Sequence, residues 1–422
     1  MSMHAEKIIK IRAQLASAGA AGVLLSTQDN IFYASGFSSV MDGWHLVEPI
    51  AALFIPTDMA LPVVLILPEA SIISLIVSER GGHPVHLEGI ATFDMLNFCS
   101  TARAEDAHLA LPDDLLVELE RAMKQVEGQC QPDIIQSIAA TLSRHLSEND
   151  RVLFDDLRVA AHVEALTGQS TGDALDTMFG ARVIKTSDEI ATLKESGHIA
   201  DGIMAYTISQ LGIGTTWAAV EKSVAHFMID HDVDPLPGSP MLFGGAYDLV
   251  FRPDLFRTPV SRPFQGGEIV ILETQGRYKN FWIDINRTAH IGPASQAYRD
   301  QYAAVREIFE TISGRLRPGV NTAEICKFQD IAAAGYLDPA EKLLVVAHSV
   351  GLVPLESPVR YPGTGLHGAQ GGFEVEAGMV ISIDCLYFGS ALGPSHMENV
   401  FIVNETGAEP LYQATLDLVE VS

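Results

Sequence analysis

Basic residues are scarce in this sequence. The 422-residue chain carries 27 Lys and Arg against 53 Asp and Glu, a formal charge of −26. Nucleic-acid backbones and anionic membrane surfaces both call for clustered Lys and Arg, so neither partner is expected. The acid excess names no substrate, because many soluble enzymes are simply acidic. It does make a divalent cation a natural counter-charge for any site in the acid-rich part. Charged residues of both signs make up only 19% of the chain, and 47% is apolar, which argues against long disordered stretches. Cysteine is sparse too: Cys99, Cys130, Cys326 and Cys385 show no C-x-x-C spacing and suggest no disulfide framework. Scattered thiols suit a reducing cytoplasm. The opening Met1-Ser2-Met3-His4-Ala5-Glu6-Lys7 lacks the charge-then-apolar order of a signal peptide, which adds to a cytoplasmic expectation. Long hydrophobic runs are missing. The most apolar stretch, 60–75, is broken by Pro62, Pro68 and Glu69 and is too short to span a bilayer. The glycine pairs Gly244-Gly245 and Gly371-Gly372 lack the strand–helix setting and the Lys or Asp of a phosphate loop.

The length exceeds what one hydrophobic core supports, so two domains are expected, 1–170 and 171–422. In the first, Ile8, Ile9, Ile11 and Leu15 fall at helical spacing, with Gly19 and Gly22 ending the helix before a strand at Val23-Leu24-Leu25. Apolar runs at 51–55, 61–67 and 151–154, with a helix over 113–127, continue an α/β pattern. Near 180 the texture changes. Thr186 and Glu189 have the spacing of a capping box and open a long helix, and a second helix covers 216–229. A Gly/Pro-rich loop follows over 235–245. Four apolar strands are predicted after it: 269–272, 281–283, 379–383 and 400–403. A polar turn with Gly276 and Asn280 joins the first pair, and helices over 296–316 and 322–333 separate the second strand from the third. The second domain reads as α+β with antiparallel strands.

Each of these strands has a carboxylate beside it: Glu273, Asp284, Asp384 and Glu398. A carboxylate among buried neighbours needs compensation. One such acid is commonplace as a cap or salt-bridge partner; four at the mouths of core strands are better explained by a shared cation. His348 follows the apolar run 343–347 in the same way. Four carboxylates and an imidazole suit Mn, Zn, Co or Fe.

These segments resemble, in order, the metal motifs of the creatinase/prolidase/aminopeptidase P family. Glu273-Thr274-Gln275-Gly276-Arg277-Tyr278-Lys279-Asn280-Phe281-Trp282-Ile283-Asp284-Ile285-Asn286-Arg287-Thr288 matches D-x-G-x-x-x-x-G-Y-x-x-D-x-x-R-T, departing at Gln275, Asn280 and Phe281. His348 to Glu356 matches the histidine motif, Gly378 to Asp384 matches G-M-V-x-x-I-E, and Glu398 stands before the terminal strand. Arg182 to Glu189 is similar to the start of the family's catalytic domain, so the resemblance spans roughly 180–410. It implies an α/β N-terminal domain, a pita-bread catalytic domain, a homodimer, and hydrolysis of a C–N bond in a small amide or Xaa-Pro-like substrate. It implies two divalent ions, or one given the swaps below. Asp284 and Glu398 would bridge them, Glu273 would hold one, and His348 with Asp384 the other. Glu356 and His348 would be the catalytic groups.

Glu273 replaces the family's usual Asp and Asp384 its usual Glu, so each reach changes by a methylene. Two histidines of the family's peptidases are missing: Leu355 holds one of those positions, and Phe256 falls near the other. The substrate-side candidates are therefore Tyr247, Phe256, Leu355, His396 and Arg287, with Asp248, Arg252, Arg257 and His367. Arg287 would steady a ligand carboxylate or form a plain surface ion pair. His396 would touch substrate or be an ordinary polar loop residue. Trp282 and Cys385 read as core, and His45, beside Trp44, as a surface histidine, or, on the family resemblance, as a residue reaching a partner subunit's site. Three other readings stay open: a lyase like the family members that cleave dimethylsulfoniopropionate, a metal-free creatinase-like hydrolase, and a binding protein. Five retained ligand-capable groups argue against the last two.

Overall fold

The structure is a computed structural model. It describes residues 3–39, 48–83, 85–95, 112–236, 241–244, 261–325, 343–360, 372–388 and 390–421. The chain forms two compact units, Met1–Ala181 and Arg182–Ser422. The first contains α1 (Met3–Ser17), β1 (Gly22–Leu25), α2 (Gln28–Ser35), β2 (Ala52–Pro56), β3 (Val64–Pro68), α3 (Ile72–Arg80), β4 (Gly89–Phe93), α4 (Asp113–Val126), α5 (Ile134–His145), β5 (Arg151–Phe154), α6 (Leu157–Thr167), β6 (Ser170–Asp173) and α7 (Leu175–Arg182). Its mixed sheet runs β4-β3-β2-β1-β5-β6. The middle strands are apolar throughout and buried on both faces, the pattern of a sheet covered by helices on each side. Leu24, Phe54, Ile66 and Phe154 pack with Ile138 and Leu142 of α5 and Val163 of α6.

The second unit opens with α8 (Ser187–Gln210), α9 (Trp217–Ile229), β7 (Val233–Pro235), β8 (Met241–Gly244), β9 (Ile269–Tyr278), β10 (Phe281–Ile291) and α10 (Gln296–Ser313). It closes with α11 (Thr322–Ile325), β11 (Leu343–Ser349), β12 (Glu356–Arg360), β13 (Val380–Tyr387), β14 (Ser395–Val403), β15 (Ala408–Pro410) and β16 (Val419–Val421). The expected capping box is present: the Thr186 hydroxyl accepts from Glu189 N, and the Glu189 carboxylate accepts from Thr186 N. Of the helix expected over 322–333, only 322–325 lies within the described residues.

The sheet that matters most runs β12-β11-β13-β14-β10-β9-β7. Side chains alternate across it. Val345, Ala347, Ile381, Ile383, Cys385, Met397 and Phe401 point to one face and pack with Val305, Ile308, Phe309 and Ile312 of α10. Cys385 is thus core, as its place next to Asp384 requires. The other face carries the polar positions.

Two local expectations are corrected. The acids sit inside longer strands rather than at strand mouths: β9 runs to Tyr278, β10 to Ile291, and β14 begins at Ser395. Polar residues on alternate positions interrupt the apolar run without interrupting the ladder. The β9–β10 turn is Lys279-Asn280, both with positive φ (49° and 66°), as a tight type I′ hairpin needs. Gly276 is a strand residue instead. A Cβ there would lie 2.6 Å from Met228 Cε and 2.7 Å from Val233 Cγ1, so β7 and α9 approach only because it is glycine.

Candidate metal centre

Register gathers the acids. On one face of the sheet Glu273 of β9 lies opposite Asn286 of β10, Asn286 opposite Glu398 of β14, and Glu398 opposite Asp384 of β13. Asp284 and His396 lie two residues from Asn286 and Glu398, on that same face. His348 of β11 lies opposite Ser382, two residues from Asp384. Five strands therefore deliver four carboxylates and two imidazoles to one place.

The donors form two groups, each with ligand atoms within 4.8 Å of one another: Asp284, His348 and Glu398; and Asp384, His396 and Glu398. Glu398 belongs to both. His348 Nε2 is 3.2 Å from Asp384 Oδ2 and 3.9 Å from Glu398 Oε1, while Nδ1 faces the Ser349 carbonyl at 3.3 Å. His396 Nε2 is 3.2 Å from Asp384 Oδ1. The Ser382 hydroxyl donates to Glu398 Oε1 at 2.7 Å. Glu273 stands outside both groups, held by Gln275 Nε2 at 2.7 Å and by Asn286 Nδ2 at 3.3 Å.

Among the described residues no Lys or Arg pairs with any of these four acids. Burial, then the neighbouring charges of Asp384 and Glu273, pushes the Asp284 carboxyl well above its usual range, against a partial pull from His348. Burial and the charges of Asp284 and Asp384 do the same to Glu398. Burial also works against a charged Asp384, but hydrogen bonds from His348 and His396 hold it down at about 2. Crowded, buried acids of this kind are stable as anions when a cation sits between them. Hard carboxylate oxygens with imidazole nitrogens match a borderline divalent ion. The buried Asn286 Oδ1, without a hydrogen-bond partner among the described residues, fits the same picture.

The remaining candidates are scattered. Glu356, expected as a catalytic group, is 1% exposed and held by Arg182 and by Lys185 Nζ at 2.8 Å, and it accepts from Leu352 N at 3.0 Å. Its carboxylate is fully engaged in a buried ion cluster of its own. Gly351 permits this closeness, since a Cβ there would lie 2.6 Å from Glu356 Oε2. Arg287 is corrected as well: it is 1% exposed and donates to the carbonyls of Asn286, Glu398, Ala414 and Thr415. It ties the C-terminal segment to the sheet, on the face away from the acids, and is neither a substrate contact nor a surface ion pair. Leu355 is 53% exposed, in the turn between β11 and β12. Trp282 is buried, with Arg277 over its ring. Tyr247, Phe256, Asp248, Arg252, Arg257, His367 and His45 lie outside the described residues.

His396 is where reading the sequence fell short. Its spacing from Glu398, two residues on one strand, puts both on one face, but only if the strand begins at Ser395 rather than near Val400. Arg182 and Lys185 were likewise legible as a motif but not as the ion partners of Glu356.

The fold and site together define a two-domain, pita-bread protein with a buried carboxylate–histidine centre. A recombinant prolidase from Thermococcus sibiricus superposes with a TM-score of 0.74 over all of both chains, at 17% identity. Residues 191–405 match the model of metallopeptidase family M24, and the chain belongs to that family. It is 24% identical over 245 residues to the uncharacterized peptidase YqhT of Bacillus subtilis, covering 56% of this chain and 64% of that protein. The chain thus matches somewhat less than two thirds of that relative's length. It is 24% identical over 248 residues to the Xaa-Pro dipeptidase of Pyrococcus furiosus, covering 58% of this chain and 67% of that one.

Proposed function

We propose that this chain is a metal-dependent hydrolase cleaving a C–N bond in a small amide or dipeptide-like substrate. The observation that carries the reading is the pair of donor groups sharing Glu398. Asp284, His348, Asp384 and Glu398 would hold divalent ions, two of Mn, Zn, Co or Fe, with Glu273 at the rim. Ions bound there would supply Lewis-acid polarisation of the scissile carbonyl and charge to favour the developing oxyanion.

The chain's own residues set the geometry. The Ser349 carbonyl opposite His348 Nδ1 aims Nε2 at the acids. Ser382 orients Glu398, and Gln275 with Asn286 orients Glu273. Leu355, half-exposed, offers an apolar contact where the family's peptidases carry a histidine, and Phe256 falls near the second such position. These replacements favour a non-standard substrate over a general Xaa-Pro peptide, although the Xaa-Pro dipeptidase relative supports a peptide-like one. A homodimer accompanies this reading on the family resemblance, and a cytoplasmic location on the scattered thiols.

The test is elemental analysis of tag-free protein before and after chelation, followed by an amide and dipeptide screen with products identified. Bound divalent ions, and release of an amine with uptake of water, support the proposal. A protein that holds no metal and gains no stability from any divalent ion overturns it. Elimination products formed without water would replace hydrolysis with the lyase reading.

A further inference from the structure

Resting on the reading of this face as a divalent-metal centre whose two half-sites meet at Glu398, we infer that His396 is a metal ligand of one of them. One half-site is Asp284, His348 and Glu398; the other is Asp384, His396 and Glu398. Each then has one imidazole, one aspartate and a share of one glutamate.

Three observations converge on His396. The side chain is 4% exposed, and its Nε2 is turned into the acid cluster, 3.2 Å from Asp384 Oδ1. Its Nδ1 is buried with no hydrogen-bond partner among the described residues, so the hydrogen bond the ring makes among them is the one to Asp384, inside the acid cluster. Its backbone is held by a single side chain of β10, because the Thr288 hydroxyl donates to His396 O at 2.8 Å and accepts from His396 N at 3.0 Å. A held backbone and a buried ring leave the imidazole little freedom, which is what a ligand requires.

Glu273 is the counterpart. It lies outside both donor groups, and both its oxygens accept from side-chain amides. It serves the centre by orientation and charge rather than by ligation. Two imidazoles among carboxylates favour Co, Zn, Mn or Fe over Mg or Ca, which prefer all-oxygen sites.

The experiment loads metal-free protein with cobalt(II) chloride and reads stoichiometry, the visible spectrum and the proton NMR spectrum. Wild-type protein should bind two cobalt ions and show two exchangeable, paramagnetically shifted imidazole N–H resonances, one per histidine. H396A and, as a shape-conserving alternative, H396N should each bind one ion fewer and lose one of those resonances. E273Q should retain both ions. A single shifted imidazole resonance in wild-type protein overturns the inference without any variant having to fold. So does an H396N protein with unchanged cobalt content and spectrum, or an E273Q protein that loses an ion. Wild-type protein that takes up no cobalt fails earlier, sinking the metal reading itself and this inference with it.

Discussion

Two clusters of buried charge lie within the second unit and are built on opposite principles. Around Glu356 the cations are covalently part of the chain. Burial opposes the charge, but Arg182 and Lys185 overcome it and hold the carboxyl at about 2. Around Asp284 and Glu398 there is burial without a Lys or Arg partner among the described residues, and the same residue chemistry is driven the other way, to carboxyls that resist ionising. A buried acid with its own Arg and Lys is a finished structural element. Buried acids facing one another are balanced either by taking up protons or by a cation from solution. Burial and residue type do not separate the proposed metal cluster from the structural one; charge balance does.

The strongest way to break this comparison is to remove Glu356. In E356A two buried cations lose their partner, and the stability loss in denaturant should be about 3–5 kcal/mol, while the folded fraction keeps its metal content. Stability left intact with metal lost would mean the two clusters are one. Chelation should act on the other cluster alone. With free ion a hundredfold above its dissociation constant, binding adds about 2.7 kcal/mol, and thermal unfolding with and without chelator should show that difference. In E398Q the difference should vanish, and the metal-free variant should be at least as stable as metal-free wild type, because one of the crowded acids is now neutral. An E398Q protein that still responds to chelator would remove Glu398 from the point where the two half-sites meet.

The acid limb of the stability profile sharpens the contrast. The Glu356 carboxyl is depressed in the folded state, so its contribution is complete above about 4.5 and fades as pH falls towards about 2. At about 1.4 kcal/mol per pKa unit, wild-type protein should lose about 3 kcal/mol across that window relative to E356Q. Parallel acid limbs would show that Arg182 and Lys185 do not hold the charge. The smallest effect is expected at Gly276, on the same sheet but touching neither cluster. G276A pushes against Met228 Cε, the stiff β-branched Val233 and the Asp234 carbonyl, and should cost about 1–2 kcal/mol, with metal content unchanged. A loss of metal in that variant would show that the sheet transmits small displacements to the centre.

What the sequence determined by itself was local and periodic. Alternating apolar runs announced the strands, and Thr186 with Glu189 announced the start of α8. Four acids and a histidine, each set against an apolar run, announced a cation site, because a carboxylate in such company needs a counter-charge. What only the tertiary structure decided was which charges meet. Register across β9, β10, β14 and β13 places Glu398 between two donor groups, adds His396 to one of them and leaves Glu273 beside both. Arg182 and Lys185 reach Glu356 across more than 170 positions of chain. Arg287, next in the motif to the centre's own residues, turns to the opposite face and closes on backbone carbonyls. Spacing along a strand fixes the face a side chain takes. Its partner on that face belongs to another strand, and only the folded sheet supplies it.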